Sequence, residues 1–289
     1  MKAAPFEYHA PRTTADALRL LAELPDAKVL AGGQSLVPLL ASRAATYQNL
    51  IDLRHVTELR GIERRGDDLW IGAMTTQSTA EHSTAVRDFV PLLAKALPLV
   101  AHFQIRNRGT IGGSMAHADA VGEIPTVALA LDAVLEVESV RGRREIPAVD
   151  FFVGTWVTSL TSDELLTGIR FPIWSGRIGT AIEELSRRHA DPAIAGACVA
   201  LELDGDTVAR CAIGLINLGS TPVRAHVAEQ SVIGTTATEI DPAELGRAAI
   251  APLTAIPSDL NGAADYRARV GAILVARAWQ RALEEAHHG

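Results

Sequence analysis

The chain has 289 residues, 48% apolar and 21% charged, with a formal net charge of −7. This is the composition of an ordinary globular protein, long enough for two domains. Its acidic balance argues against a nucleic-acid partner, which needs a basic surface. No stretch approaches the roughly 18 consecutive apolar residues of a membrane span, and Met1–Glu7 holds no signal-peptide core, so a cytoplasmic location is expected.

The first element is a helix capped by Thr13 or Thr14, with Asp16 near its positively polarised end and Leu18, Leu21 and Ala22 on one face. Lys28–Ala31 reads as a short buried strand that breaks at Ala31-Gly32-Gly33-Gln34-Ser35. A short helix over Leu36–Ser42 and a strand over Asn49–Leu53 complete a small βαβ-like unit. Next come a strand at Asp68–Gly72 and a helix over about 89–100, interrupted by Pro91 and Pro98. A second glycine turn, Thr110-Ile111-Gly112-Gly113-Ser114, leads towards a short helix at Thr126–Leu131. Val134–Ser139 and Leu165–Phe171 read as strands, and the Arg141–Arg144 cluster between them as a solvated hairpin turn.

After Trp174-Ser175-Gly176 the pattern changes, and a domain boundary is placed near residue 175. Ala181–Leu185, Ala195–Leu203 and Val208–Leu215 read as strands, with Asp204-Gly205-Asp206 as the hairpin turn between the last two. The chain then becomes helical. It ends in an amphipathic helix over about 264–285, whose predicted apolar stripe is Tyr266, Val270, Ile273, Leu274, Ala278 and Leu283.

The two glycine turns carry the chemistry. Each presents backbone N–H groups beside a hydroxyl, which suits a phosphate, and two such turns far apart suggest a pyrophosphate gripped from both sides. Neither the Rossmann pattern Gly-x-Gly-x-x-Gly nor the Walker pattern is present. Thr110 and Ser114 offer hydroxyls, while Gly112 and Gly113 permit close backbone approach. Beyond the second turn lie Asp119 and Glu123. Asp119 reads as structural; Glu123 is open to two readings, a partner for ribose hydroxyls or a charge at a helix start.

No acid–base or nucleophile set emerges, and His102 and His117 belong to no metal-binding pattern, so neither catalytic residues nor metal ligands are expected. Cys198 and Cys211 lie in apolar runs without Cys-x-x-Cys spacing, too few to ligate an iron–sulfur cluster, and are expected to be buried and reduced.

These residues together resemble the FAD-binding medium subunit of the molybdenum hydroxylases, the group that includes carbon monoxide, nicotine and xanthine dehydrogenases. The likeness runs essentially end to end. Its anchors are Ala31–Pro38 (Ala-Gly-Gly-Gln-Ser-Leu-Val-Pro) and Ile105–Ser114 (Ile-Arg-Asn-Arg-Gly-Thr-Ile-Gly-Gly-Ser). Leu50-Ile51-Asp52-Leu53, Glu164-Leu165-Leu166, Ile169–Pro172, Ser186-Arg187-Arg188 and Tyr266-Arg267 support it.

The resemblance implies an α+β fold: an FAD-binding region over 1–175 in two α/β subdomains (about 1–55 and 56–175), then a C-terminal α+β domain over 176–289 with a three-stranded antiparallel sheet. It implies FAD contacts from Ala31, Gly32, Gly33, Gln34, Ser35, Leu36, Thr110, Gly112, Gly113 and Ser114. Glu123 falls at the acidic position for the adenosine end, and Leu166 where an apolar side chain packs near the flavin or adenine. Two departures stand out: Gln34 replaces the frequent His or Asn, and Arg188-His189-Ala190-Asp191-Pro192-Ala193 places Pro192 where an aromatic commonly lies against the isoalloxazine.

The implied function is electron transfer within a heterotrimer. A large molybdenum-cofactor subunit would oxidise the substrate, a small subunit with [2Fe–2S] clusters would pass electrons to this chain's FAD, and an external acceptor would receive them. Two alternatives are a self-sufficient flavin oxidoreductase, for which no substrate-handling acid is visible, and a non-redox assembly subunit, against which the retained glycines argue.

Overall fold

The structure is a computed structural model that describes residues 2–188 and 190–288; His189 lies outside the described residues. Three sheets organise it. In the first, β1 (Glu7–His9), β2 (Ala27–Leu30) and β3 (Asn49–Asp52) run parallel in the order β1-β3-β2. Between β1 and β2 lies the helix Thr14–Glu23, and Thr13 Oγ1 caps it by accepting from the Asp16 N–H. The helix buries Ala17, Leu18 and Leu21 against Ile51 and Leu53. The short helix Leu36–Ser42 makes the crossover from β2 to β3, as the spacing predicts.

The second sheet is antiparallel throughout. It joins β4 (Ile62–Arg65), β5 (Asp68–Gly72), β6 (Val134–Ser139), β7 (Gly142–Pro147) and β10 (Leu165–Pro172) in the order β4-β5-β10-β6-β7, with a small hairpin of β8 (Phe152–Gly154) and β9 (Val157–Thr158) alongside. Strand β6 alternates strictly between part-exposed and buried residues, the period-two signature of a sheet with one covered face. The apolar segment around Pro91 and Pro98 splits into helices Thr84–Phe89 and Pro91–Ala96 and a single 3₁₀ turn at Leu97–Leu99. Pro91 takes the first helical position, where its missing N–H costs nothing.

The third sheet contains β11 (Arg177–Leu185), β12 (Ala195–Asp204), β13 (Thr207–Ile216) and a two-residue β14 (Val223–Arg224), all antiparallel. The three expected strands are thus joined by a fourth too short to leave a pattern. Strands β12 and β13 are buried on both faces. Cys198, Ala200 and Ala212 turn towards the core of the second sheet, whereas Ala197, Val199, Leu201, Cys211 and Ile213 turn towards the C-terminal helices. That double burial explains why these strands read as apolar runs.

The last helix spans Ala264–His288 and buries Arg267, Gly271, Leu274, Val275, Ala278, Trp279 and Ala282. Its inner face is rotated from the predicted stripe: Tyr266 and Ile273 are exposed, and a fully buried arginine takes part. Arg267 is paired with Asp259 and donates to the Ile194 and Gly262 carbonyls, so the helix anchors two loops at its start in addition to packing an apolar seam further along.

Candidate functional site

The first glycine turn begins where β2 ends. Gly33 adopts φ +78°, a left-handed conformation that strains residues with a Cβ. The Val37 N–H then bonds back to the Gly33 carbonyl at 3.0 Å, opening the crossover helix. Gln34 folds onto its own turn, its Nε2 donating to the Gly32 carbonyl at 2.9 Å. The N–H groups of Gly32, Gly33, Gln34, Ser35 and Leu36 find no acceptor among the described residues. Five successive unpaired donors form a concentrated anion-binding surface.

The second turn is built differently. Thr110 is the N-cap of the helix Ile111–His117, and its Oγ1 accepts from the Gly113 N–H at 3.0 Å. The Ile111 and Gly112 N–H groups donate to the Thr75 and Ala73 carbonyls, and that of Ser114 to the Thr110 carbonyl. Gly112 is glycine because the helix lies against β5's extension: a Cβ there would meet Ala73 Cβ at 2.5 Å. The amides expected to face an anion are therefore engaged inside the protein. What remains available are hydroxyl hydrogens, because Thr110 Oγ1 and Ser114 Oγ both act as acceptors, the latter from Gln77 Nε2 at 2.9 Å.

The two segments meet. A Cβ on Gly32 would collide with the carbonyl oxygen of Arg108, and Ala31 Cβ lies 3.5 Å from where a Gly113 side chain would begin. At this seam opens a cavity of about 410 Å³, lined by Leu30–Gln34, Val37 and Pro38 on one side, Ile105 and Arg108 on the other, and Asp52 and Arg54. Asp52 is buried and accepts from the Tyr8 hydroxyl at 2.9 Å and from Arg54 Nε at 2.6 Å, so the Arg54 charge is compensated. Arg106 is likewise spent, on Glu81 and the Val100 and Ala101 carbonyls. No carboxylate among the described residues pairs with Arg108. Asp52, Arg54, Ile105 and Arg108 are additions to the predicted set; Asp52, Ile105 and Arg108 lie inside motifs that the sequence already marked, and Arg54 directly follows one.

Of the predicted residues, Ala31, Gly32, Gly33 and Gln34 line this cavity; Ser35, Leu36, Thr110, Gly112, Gly113 and Ser114 belong to the flanking segments without lining it, and the others lie elsewhere. Leu166 is buried in the core of the second sheet, at a register shift opposite Val137. Asp119 is structural as expected: it accepts from the Val121 N–H and the Trp156 indole, beside a His117 ring stacked on Trp156. Burial lowers the His117 pKa, the charge on Asp119 opposing it. Glu123 opens the helix Glu123–Ala130, and burial, aided by the charge on Asp119, pushes its carboxyl up to about 7. Glu184 on β11, which no motif indicated, is pushed up to about 8 by burial and by Glu123. Pro192 is exposed. Both cysteines are free and buried, and burial raises both thiols, Cys198 to about 12, as inert core residues require.

Comparison with known proteins identifies the family. The profile of the FAD binding domain in molybdopterin dehydrogenase matches residues 4–174, and that of the CO dehydrogenase flavoprotein C-terminal domain matches residues 180–282. The carbon monoxide dehydrogenase medium chain of Hydrogenophaga pseudoflava is 39% identical over 274 residues, 94% of this chain and 95% of that one. A 6-hydroxypseudooxynicotine dehydrogenase complex subunit alpha from Paenarthrobacter nicotinovorans is 40% identical over 288 residues, 99% and 97% of the two chains. Among solved structures, carbon monoxide dehydrogenase from Hydrogenophaga pseudoflava superposes with a TM-score of 0.95 at 40% identity, covering 99% of each chain. Quinoline 2-oxidoreductase from Pseudomonas putida 86 gives 0.93 at 35% identity, again covering 99% of each. The unpaired amides, the hydroxyls and the cavity at the seam suit a dinucleotide pyrophosphate. This chain belongs to the FAD-binding medium-subunit family of the molybdopterin dehydrogenases, a flavoprotein with FAD as its cofactor.

Proposed function

We propose that this chain is the electron-transfer subunit of a cytoplasmic, multi-subunit molybdenum hydroxylase. A large molybdenum-cofactor subunit oxidises the substrate, and a small [2Fe–2S] subunit relays electrons to this chain, which hands them to an external acceptor. FAD suits this junction because it exchanges electrons singly or in pairs. The observation that carries the reading is the run of N–H groups from Gly32 to Leu36 without acceptors among the described residues, the first three of them on residues that line the cavity together with Ile105 and Arg108.

In this reading the chain's residues bind and orient; none acts as an acid or base on substrate. The first turn donates backbone hydrogen bonds to phosphate oxygens, and Thr110 and Ser114 add hydroxyl donors. Glu123 accepts from hydroxyls at the adenosine end, and Leu166 supports the apolar wall from the core. Residues 1–175 form the cofactor-binding region, its subdomains joining near residue 55, and residues 176–289 the C-terminal domain. Two buried thiols with raised pKa values are unsuited to ligating a cluster, which supports giving that role to a partner.

The test is purification of the chain alone and together with co-expressed candidate partners. Alone, it is expected to show a flavin spectrum, to release FAD on denaturation and to leave organic substrates untouched. With its partners, substrate should bleach the flavin. Direct substrate turnover by the isolated chain would replace this reading with a self-sufficient flavin oxidoreductase. A chain that folds but takes up no FAD would favour an assembly role.

A further inference from the structure

A pyrophosphate brings two negative charges, and hydrogen bonds from neutral amides do not cancel them. Near the seam of the two turns, two of the arginines are committed elsewhere. Arg54 is clamped by the buried carboxylate of Asp52. Arg106 is clamped by Glu81. Among the described residues, Arg108 is the charged residue lining the cavity that has no ion-pair partner. Its position is fixed by backbone geometry: its N–H bonds to the Ile105 carbonyl at 3.1 Å, and its own carbonyl is pressed against Gly32. The Arg108 side chain therefore branches from backbone in contact with Gly32, where the unpaired amides begin, and lines the cavity.

We propose that Arg108 neutralises the cofactor's pyrophosphate while the Gly32–Leu36 amides supply its hydrogen bonds, the second turn contributing hydroxyls rather than N–H groups. The inference rests on the FAD-site reading above and deepens it. It divides the work of the Arg106-Asn107-Arg108 motif: Arg106 holds the loop in place, and Arg108 meets the ligand. A planar guanidinium can engage two phosphate oxygens at once, which gives it a role beyond that of a point charge. Because the side chain is exposed, its attraction is screened by salt, and that supplies a signature a structural residue would lack.

The experiment uses the full chain stripped of FAD, with FAD and ADP titrated separately by fluorescence at several salt concentrations. Arg108→Gln is expected to weaken both by roughly tenfold and to flatten the dependence of Kd on salt, while the apo melting temperature stays unchanged. Arg108→Lys should restore the salt dependence and part of the affinity. A loss below roughly twofold for FAD and ADP, or a weakened affinity with the wild-type salt slope, overturns the assignment. A wild-type chain that binds neither ligand overturns the site reading as well, so the two failures are distinguishable.

Discussion

The two glycine turns look alike in sequence and differ in what they leave available. In the first, five consecutive N–H groups have no partner and Gly33 bends the chain through a left-handed conformation. In the second, every N–H from Ile111 to Ser114 is already bonded, and Gly112 serves helix-to-sheet packing. A Gly-Gly pair followed by a hydroxyl residue is therefore an ambiguous motif. Its meaning depends on whether the donors are consumed: in the second turn two go to the Ala73 and Thr75 carbonyls by tertiary contact and two to Thr110 of the turn itself.

Substitutions can break the comparison. The largest effect is expected for Gly32→Ala, whose Cβ would collide with the Arg108 carbonyl and force the two turns apart. FAD affinity should fall by a factor of about 100, roughly 3 kcal/mol, measured by titration of the apo chain. Gly112→Ala should instead act on folding: overpacking against Ala73 costs about 1–3 kcal/mol, read from denaturant melts, with FAD affinity of the folded fraction little changed. If Gly112→Ala weakened FAD as strongly as Gly32→Ala, the asymmetry between the turns would be lost. Thr110→Ala should remove the helix cap at a cost of about 1 kcal/mol, and Thr110→Ser should restore it.

Much of the architecture was legible in the sequence. The strands at Asp68–Gly72 and Val134–Ser139 and the crossover helix Leu36–Ser42 fall where periodicity and breakers placed them. The last helix shows where such reading stops. A hydropathy stripe cannot foresee that Arg267 turns inward while Ile273 turns out, because the burial of Arg267 depends on Asp259 and on carbonyls 73 residues away in sequence, at Ile194. β14 and the hairpin β8–β9 are two or three residues long, too short for any period to register. At the site, the glycine motifs were visible, but the idle amides of one turn and the occupied amides of the other were not. Glu184 left no trace, since its significance comes from sitting near Glu123 across two elements.

That pair gives the smallest and most diagnostic prediction, because it asks what the second segment contributes beyond its turn. Glu123 and Glu184 are both held above the ordinary carboxyl value of 4.5 by burial, with Asp119 adding to the effect on Glu123. The native state thus keeps protons that the unfolded chain releases as pH rises through the ordinary range. Stability is full below about 4.5 and declines towards the native values near 7 and 8. Glu184→Gln removes one of the two charges for good. The apo variant should match wild type near the acid end and exceed it above neutrality, by on the order of 1 kcal/mol, in thermal melts across that range. Parallel pH profiles for wild type and variant would mean that the two carboxyls do not share a proton-linked site. If the profiles diverge as expected and FAD narrows the gap between them, a Glu123 carboxylate facing the cofactor is the natural cause: a carboxyl that accepts hydroxyl hydrogen bonds is better ionised, and the second segment then meets its ligand through side chains at both ends.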